Sequence, residues 1–125
     1  MIKGIRHVTI CVEDQDRALK FYTEKLGFIL LVDTPMGNGK QRWIELAIPN
    51  AETLVTLFTP EGHEDRVGTS SNVIFTTDNI EKTYTELKTR GVNFTKAPAN
   101  EPWGSYALFQ DSEGNTFCLS SSASF

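Results

Sequence analysis

Apolar and polar positions alternate over residues 7–12, with Val8, Ile10 and Val12 in one phase and His7, Thr9 and Cys11 in the other. A period of two is that of a strand with one face on a core, so the polar set is expected on the opposite face. The period then lengthens. Ala18, Phe21, Tyr22 and Leu26 recur at helical spacing over 15–26, Asp14 stands where an N-cap accepts orphan N–H groups, and Gly27 stands where a left-handed residue ends the helix. Strands are predicted over 28–32, 42–48 and 54–59, the last two joined by Pro49-Asn50-Ala51-Glu52. Residues 34–41, with Pro35, Gly37 and Gly39, are predicted as a mobile loop.

The same order returns after a polar stretch. Residues 60–71 are rich in Pro, Gly, Ser and charge and suit a solvated linker. A strand is expected over 72–77, then a helix capped by Asp78 with Glu81 three positions on and a buried stripe of Ile80, Tyr84 and Leu87, stopped by Gly91. Strands over 92–96, 105–110 and 116–120 follow, with 97–104 as a loop and Asp111-Ser112-Glu113-Gly114 as a turn. Val8 and Val73 lie 65 residues apart, Gly27 and Gly91 64, Leu57 and Leu119 62. Helix caps, helix stops and turns therefore repeat together, the mark of a duplicated unit. The expectation is a single α+β domain over 1–125 built from two tandem βαβββ modules, about 1–60 and 72–122, forming a cupped mixed sheet around a cleft.

Length agrees with this: 125 residues make one ordinary domain, and each module alone is too small to bury a core comfortably. With 39% apolar and 22% charged residues the composition is globular. Twelve Lys and Arg against sixteen Asp and Glu leave a net charge of −4 without a basic cluster, so neither nucleic acid nor an anionic membrane is an expected partner. No apolar run is long enough to span a bilayer and no signal-peptide core opens the chain, so the cytoplasm is the expected location and a small molecule the expected partner. Cys11 and Cys118 lack zinc-site spacing and are read as reduced, and His7 and His63 are the only histidines.

Particular stretches carry a further likeness. His7-Val8-Thr9-Ile10, the helix with Ala18-Leu19-Lys20-Phe21-Tyr22, and Leu26-Gly27-Phe28 resemble the vicinal oxygen chelate superfamily, which includes glyoxalase I, extradiol dioxygenases and bleomycin-resistance proteins. Thr77-Asp78-Asn79-Ile80, Leu87-Lys88-Thr89-Arg90-Gly91-Val92 and Phe109-Gln110-Asp111-Ser112-Glu113-Gly114-Asn115 extend it to nearly the whole chain; members typically read F-x-D-P-D-G-N at the last. The resemblance implies paired βαβββ modules and a homodimer. It also implies a test for chemistry, because metal-dependent members place a His or Gln, a Glu, a His and a Glu on four strands. Carried over by strand and register, those positions are His7, Thr56, Asn72 and Cys118. Thr56 and Asn72 offer a divalent ion neither charge nor a strong donor, so no metal and no cofactor is expected.

The cleft-side phase then supplies the candidate site: His7, Thr9, Cys11, Trp43, Glu45, Thr56, Asn72, Trp103, Tyr106, Phe109 and Cys118. His7 is either a ligand-bonding or acid/base group, or a strand histidine satisfied by Asn72 and Thr56. In Arg42-Trp43-Ile44-Glu45-Leu46-Ala47-Ile48 alternation sends Trp43 and Glu45 to the cleft side, with Glu45 near Thr56 if the third and fourth strands pair antiparallel. Glu45 then acts on a ligand or as a base, or is a rim residue paired with Arg42 or Lys40. Aromatic side chains suit an apolar or planar ligand, and Trp103 in its loop suits a lid or a subunit contact. Cys11 and Cys118 read as small buried residues rather than nucleophiles, His63 as solvated surface, and Gly37-Asn38-Gly39 lacks the spacing of a phosphate loop. Two functions follow: metal-independent binding of a small aromatic or apolar molecule, or a lyase or isomerase using His7 and Glu45 for proton transfer.

Overall fold

The computed structural model describes residues 1–37, 40–70 and 72–122. Its elements run β1 (His7–Ile10), α1 (Gln15–Lys20), β2 (Ile29–Met36), β3 (Gln41–Ala47), β4 (Leu54–Leu57), β5 (Ile74–Thr76), α2 (Ile80–Thr89), β6 (Asn93–Glu101), β7 (Gly104–Gln110) and β8 (Thr116–Ser122). Two sheets result, ordered β1-β4-β3-β2 and β5-β8-β7-β6. In each, the first strand pairs parallel with the fourth and the other pairs are antiparallel. The duplicated order is thus repeated strand for strand. The chain divides into compact units, Met1–Val67 and Gly68–Phe125, at a boundary inside the expected linker.

In the first unit Ile10, Ile44, Leu46, Val55 and Leu57 are buried with Ala18, Phe21 and Tyr22 of the helix. Asp14 caps α1 by accepting from the Arg17 N–H at 2.9 Å. The helix then widens into a π turn, Phe21–Lys25, closed by the Leu26 N–H on the Phe21 carbonyl. Phe21 and Tyr22 meet edge to face at 5.3 Å and both are buried. Gly27 leaves the helix at φ 78°, the conformation the stop required. In the second unit Phe75, Phe94, Phe109 and Phe117 form one aromatic cluster, with Tyr84 of α2 edge-on to Phe94 at 4.7 Å.

Several expectations need correction. β2 runs on through Pro35 to Met36, and β6 through Pro98 to Glu101, where loops were expected. Both are edge strands, where a proline without an N–H removes no ladder bond from a second neighbour; in β6 the register also shifts between Lys96 and Ala99. The expected loop over 34–41 therefore shortens, and Asn38 and Gly39 lie outside the described residues. So does Ser71 of the linker. The cap of α2 is Asn79, which accepts from the Lys82 N–H at 3.1 Å, and not Asp78. β1 stops at Ile10 and β5 starts at Ile74, so Cys11 and Asn72 fall outside the strands assigned to them.

The turn after β7 is a closed polar network. One Asp111 carboxylate oxygen accepts from the Glu113 and Asn115 N–H groups, the other from the Asn115 amide, all at 2.9 Å. The Asn115 side-chain Oδ1 accepts from the Ser70 N–H at 3.0 Å. Both side chains are buried and satisfied, which explains why those residue types stand at those places.

Candidate functional site

Each sheet has a helix on one face, and alternation delivers the candidate residues to the other. In the first unit β3 and β4 pair with Glu45 opposite Thr56, and β1 and β4 with Thr9 opposite Thr56. Glu45, Thr56, Thr9, His7 and Trp43 therefore share a face. Glu45 is only 5% exposed. Its Oε1 accepts from the Arg6 guanidinium at 2.8 Å and from the Trp43 indole N–H at 3.1 Å. The Arg6 hydrogen bond first and the Trp43 bond second hold the Glu45 carboxyl below its ordinary range. A carboxylate held in this way is a fixed negative charge and a weak base. Trp43 lies edge-on to both His7 and Phe58, at 5.6 Å in each case. His7 Nδ1 and Thr56 Oγ1 are buried and make no hydrogen bond. Leaving such groups unpaired costs about 1–3 kcal/mol each.

The second unit presents Tyr106 and Cys118 on the corresponding face. Trp103, 50% exposed in the turn between β6 and β7, stacks on Tyr106 at 5.7 Å with 28° between the rings, and the Lys96 ammonium lies 5.5 Å from the Tyr106 ring centre. Burial pushes the Cys118 thiol up, so it holds less thiolate than an ordinary cysteine. Phe109, expected on the cleft side, is 2% exposed and sits in the aromatic core, because its phase is that of Ala107 and the helix-facing side. Asn72 is exposed ahead of β5, and Cys11 is buried beyond β1. Arg42 pairs with Asp33 at 2.9 Å and Asp16 at 2.8 Å, not with Glu45.

Arg6, Phe58 and Lys96 were not legible as site residues. Arg6 precedes β1 in a stretch without period, and nothing local links it to a carboxylate 39 positions on. A groove of about 940 Å³ in the first unit involves none of the candidates and runs past Val12, Gln15, Gln41 and Arg42. Its walls are already paired, since Gln15 bonds the Arg42 and Leu57 carbonyls and Gln41 the Thr59 N–H.

The Glyoxalase/Bleomycin resistance protein/Dioxygenase superfamily model matches residues 4–119. The chain belongs to this superfamily. It is similar to the uncharacterized protein YetH of Bacillus subtilis, 37% identical over 119 residues that cover 95% of this chain and 98% of that protein. Among solved structures it is similar to TnmS3, an antibiotic binding protein from Streptomyces sp. CB03234, at 32% identity and TM-score 0.85 with 98% of each chain covered. A superfamily member from Sphaerobacter thermophilus matches at 34% identity and TM-score 0.85, covering 96% of this chain and 98% of that one.

The metal of the superfamily's metal-dependent members does not suit the residues present. The first unit brings His7 and Thr56 to the equivalent strands, an imidazole and a neutral hydroxyl. No three His, Cys, Asp or Glu stand together as a metal-holding group among the described residues. Glu45, the carboxylate nearest to Thr56 in register, is engaged by Arg6 and Trp43.

Proposed function

We propose that this protein binds a small aromatic or apolar molecule, without a divalent metal, on the sheet face of a unit, beside Trp43 in the first or Trp103 in the second. The observation that carries the reading is Trp103, half exposed on a β-turn and stacked on Tyr106. An indole held in place yet left open to solvent loses little freedom when a second ring packs on it. The similarity to an antibiotic binding protein supports the same reading. Proton transfer by His7 and Glu45 is disfavoured, since a carboxyl held below its ordinary range is a poor base at neutral pH. The reading includes a homodimer, as the superfamily resemblance implies, and a cytoplasmic location, and sedimentation equilibrium checks the dimer.

Binding is tested with 2-naphthylmethanol as a neutral aromatic probe, followed through the indole N–H signals of Trp43 and Trp103 in ¹⁵N-labelled protein. Saturable movement of the Trp103 signal is expected, weakened at least about fivefold by Tyr106→Ala, in line with the ~1 kcal/mol of an aromatic contact. It is expected to be indifferent to EDTA. Absence of saturable binding, or its loss on chelation, rejects the reading.

A further inference from the structure

Glu45, Thr56 and His7 make an odd set for a folded sheet. A carboxylate that is 5% exposed occupies one ladder position, and a hydroxyl that forms no hydrogen bond stands directly opposite on β4. His7 adds a buried ring nitrogen without a hydrogen-bond partner. Buried polar groups are normally satisfied. All three can accept a hydrogen bond: a carboxylate oxygen, a hydroxyl oxygen and, in the neutral Nε2–H tautomer, His7 Nδ1. Both protein donors to Glu45 converge on Oε1, so Oε2 takes no protein hydrogen bond among the described residues.

The charge that balances Glu45 is loosely held. The Arg6 side chain is 68% exposed and reaches the carboxylate through a single nitrogen, while its backbone is fixed by the Leu54 N–H on the Arg6 carbonyl at 2.8 Å. The guanidinium can therefore swing away without disturbing β1 or β4. Trp43 stands beside the carboxylate, with Phe58 and His7 edge-on to it.

We infer that this cluster is a receptor for a primary ammonium group on an aromatic ligand, with Arg6 competing for the same carboxylate. A primary ammonium carries three N–H donors, matching the three acceptors that no protein donor fills. A guanidinium anchored at residue 6 answers only one of them. The inference rests on the binding reading above and adds the chemical class of the ligand's head group.

The test compares 2-naphthylmethylammonium with 2-naphthylmethanol on the whole protein, reading the Trp43 indole signal, which Trp43→Phe assigns. The ammonium probe is expected to bind about tenfold tighter than the alcohol, the ratio that 1.4 kcal/mol sets. Glu45→Gln removes that preference. Arg6→Ala tightens the ammonium several-fold and leaves the alcohol unchanged, and Arg6→Gln does the same should the alanine variant fold poorly. Equal affinity of the two probes, or equal response of both to Arg6 substitution, overturns the inference and marks the cluster as one satisfied by water alone. Should the Trp103 signal answer the alcohol while Trp43 shows no preference, the binding reading stands and the ammonium receptor falls. Silence of both indoles with both probes removes both.

Discussion

At the scale of single residues the fixed charge of Glu45 governs the pH response. Its carboxyl is held below the ordinary range, first by the Arg6 hydrogen bond and then by Trp43, so the folded state binds the Glu45 proton more weakly than the unfolded chain does. The stability this contributes is complete above the unfolded value and is lost as pH falls through the folded one. Melting temperatures from pH 7 to pH 3 should therefore drop more steeply in the wild type than in Glu45→Gln, the curves diverging below about pH 5. Parallel curves would show that Glu45 titrates alike in both states. Alternation had placed Glu45 on the cleft side, because a period of two fixes the face of every residue in a strand once its neighbours are buried, and antiparallel pairing of β3 and β4 sets it opposite Thr56. Its partner was not legible: Arg6 lies 39 positions away, and a long-range ion pair leaves no trace in local pattern. Phe109 failed for the opposite reason. Its aromatic character suggested a ligand wall, while its phase, shared with Ala107, is the core phase, and register decides between the two.

Among elements, α2 separates two neighbouring candidates for a cap. Asp78 and Asn79 are both good N-caps by type, and a glutamate three positions beyond Asp78 made it look like a capping box. The backbone chooses Asn79, extended at φ −143° and ψ 95°, whose side chain accepts from the Lys82 N–H. Asn79→Ala is accordingly expected to lower stability by about 1 kcal/mol, with Asp78→Ala within about 0.5 kcal/mol of wild type. Urea unfolding of the two variants measures both, and the reverse order would return the cap to Asp78. Sequence misplaced the edges of strands more than their number. All eight strands of the described residues were expected, yet β2 and β6 run on through prolines, because an edge strand tolerates a residue that cannot donate and sequence does not announce which strands are edges. The turn Asp111-Ser112-Glu113-Gly114 was legible, since its glycine, at φ 83°, and its acidic lead residue are what such a turn demands.

For the molecule as a whole the repeat is the feature from which the chemistry must be argued. Duplication gives each unit the same strand order, and with it one pair of the positions that bind metal in the superfamily's metal-dependent members: His7 and Thr56 in the first, Asn72 and Cys118 in the second. A hard divalent ion needs charge from its ligands, and this set offers one imidazole, one hydroxyl, one amide and a thiol raised by burial. Substituting from elsewhere is also constrained. The chain's second histidine, His63, is exposed in the first unit, and Glu45 is held by Arg6. Any ion that bound the folded form preferentially would raise the melting temperature with concentration, by mass action. Mn²⁺, Ni²⁺ or Zn²⁺ at about 1 mM is therefore expected to leave the melting temperature of the full chain within about 2 °C of its value in EDTA, since a site with a millimolar dissociation constant adds only about 0.4 kcal/mol there. A rise that saturates at one ion per chain would mean that ligands outside the four positions complete the His7 and Thr56 pair. His7→Ala would then identify it as the same site by abolishing the rise.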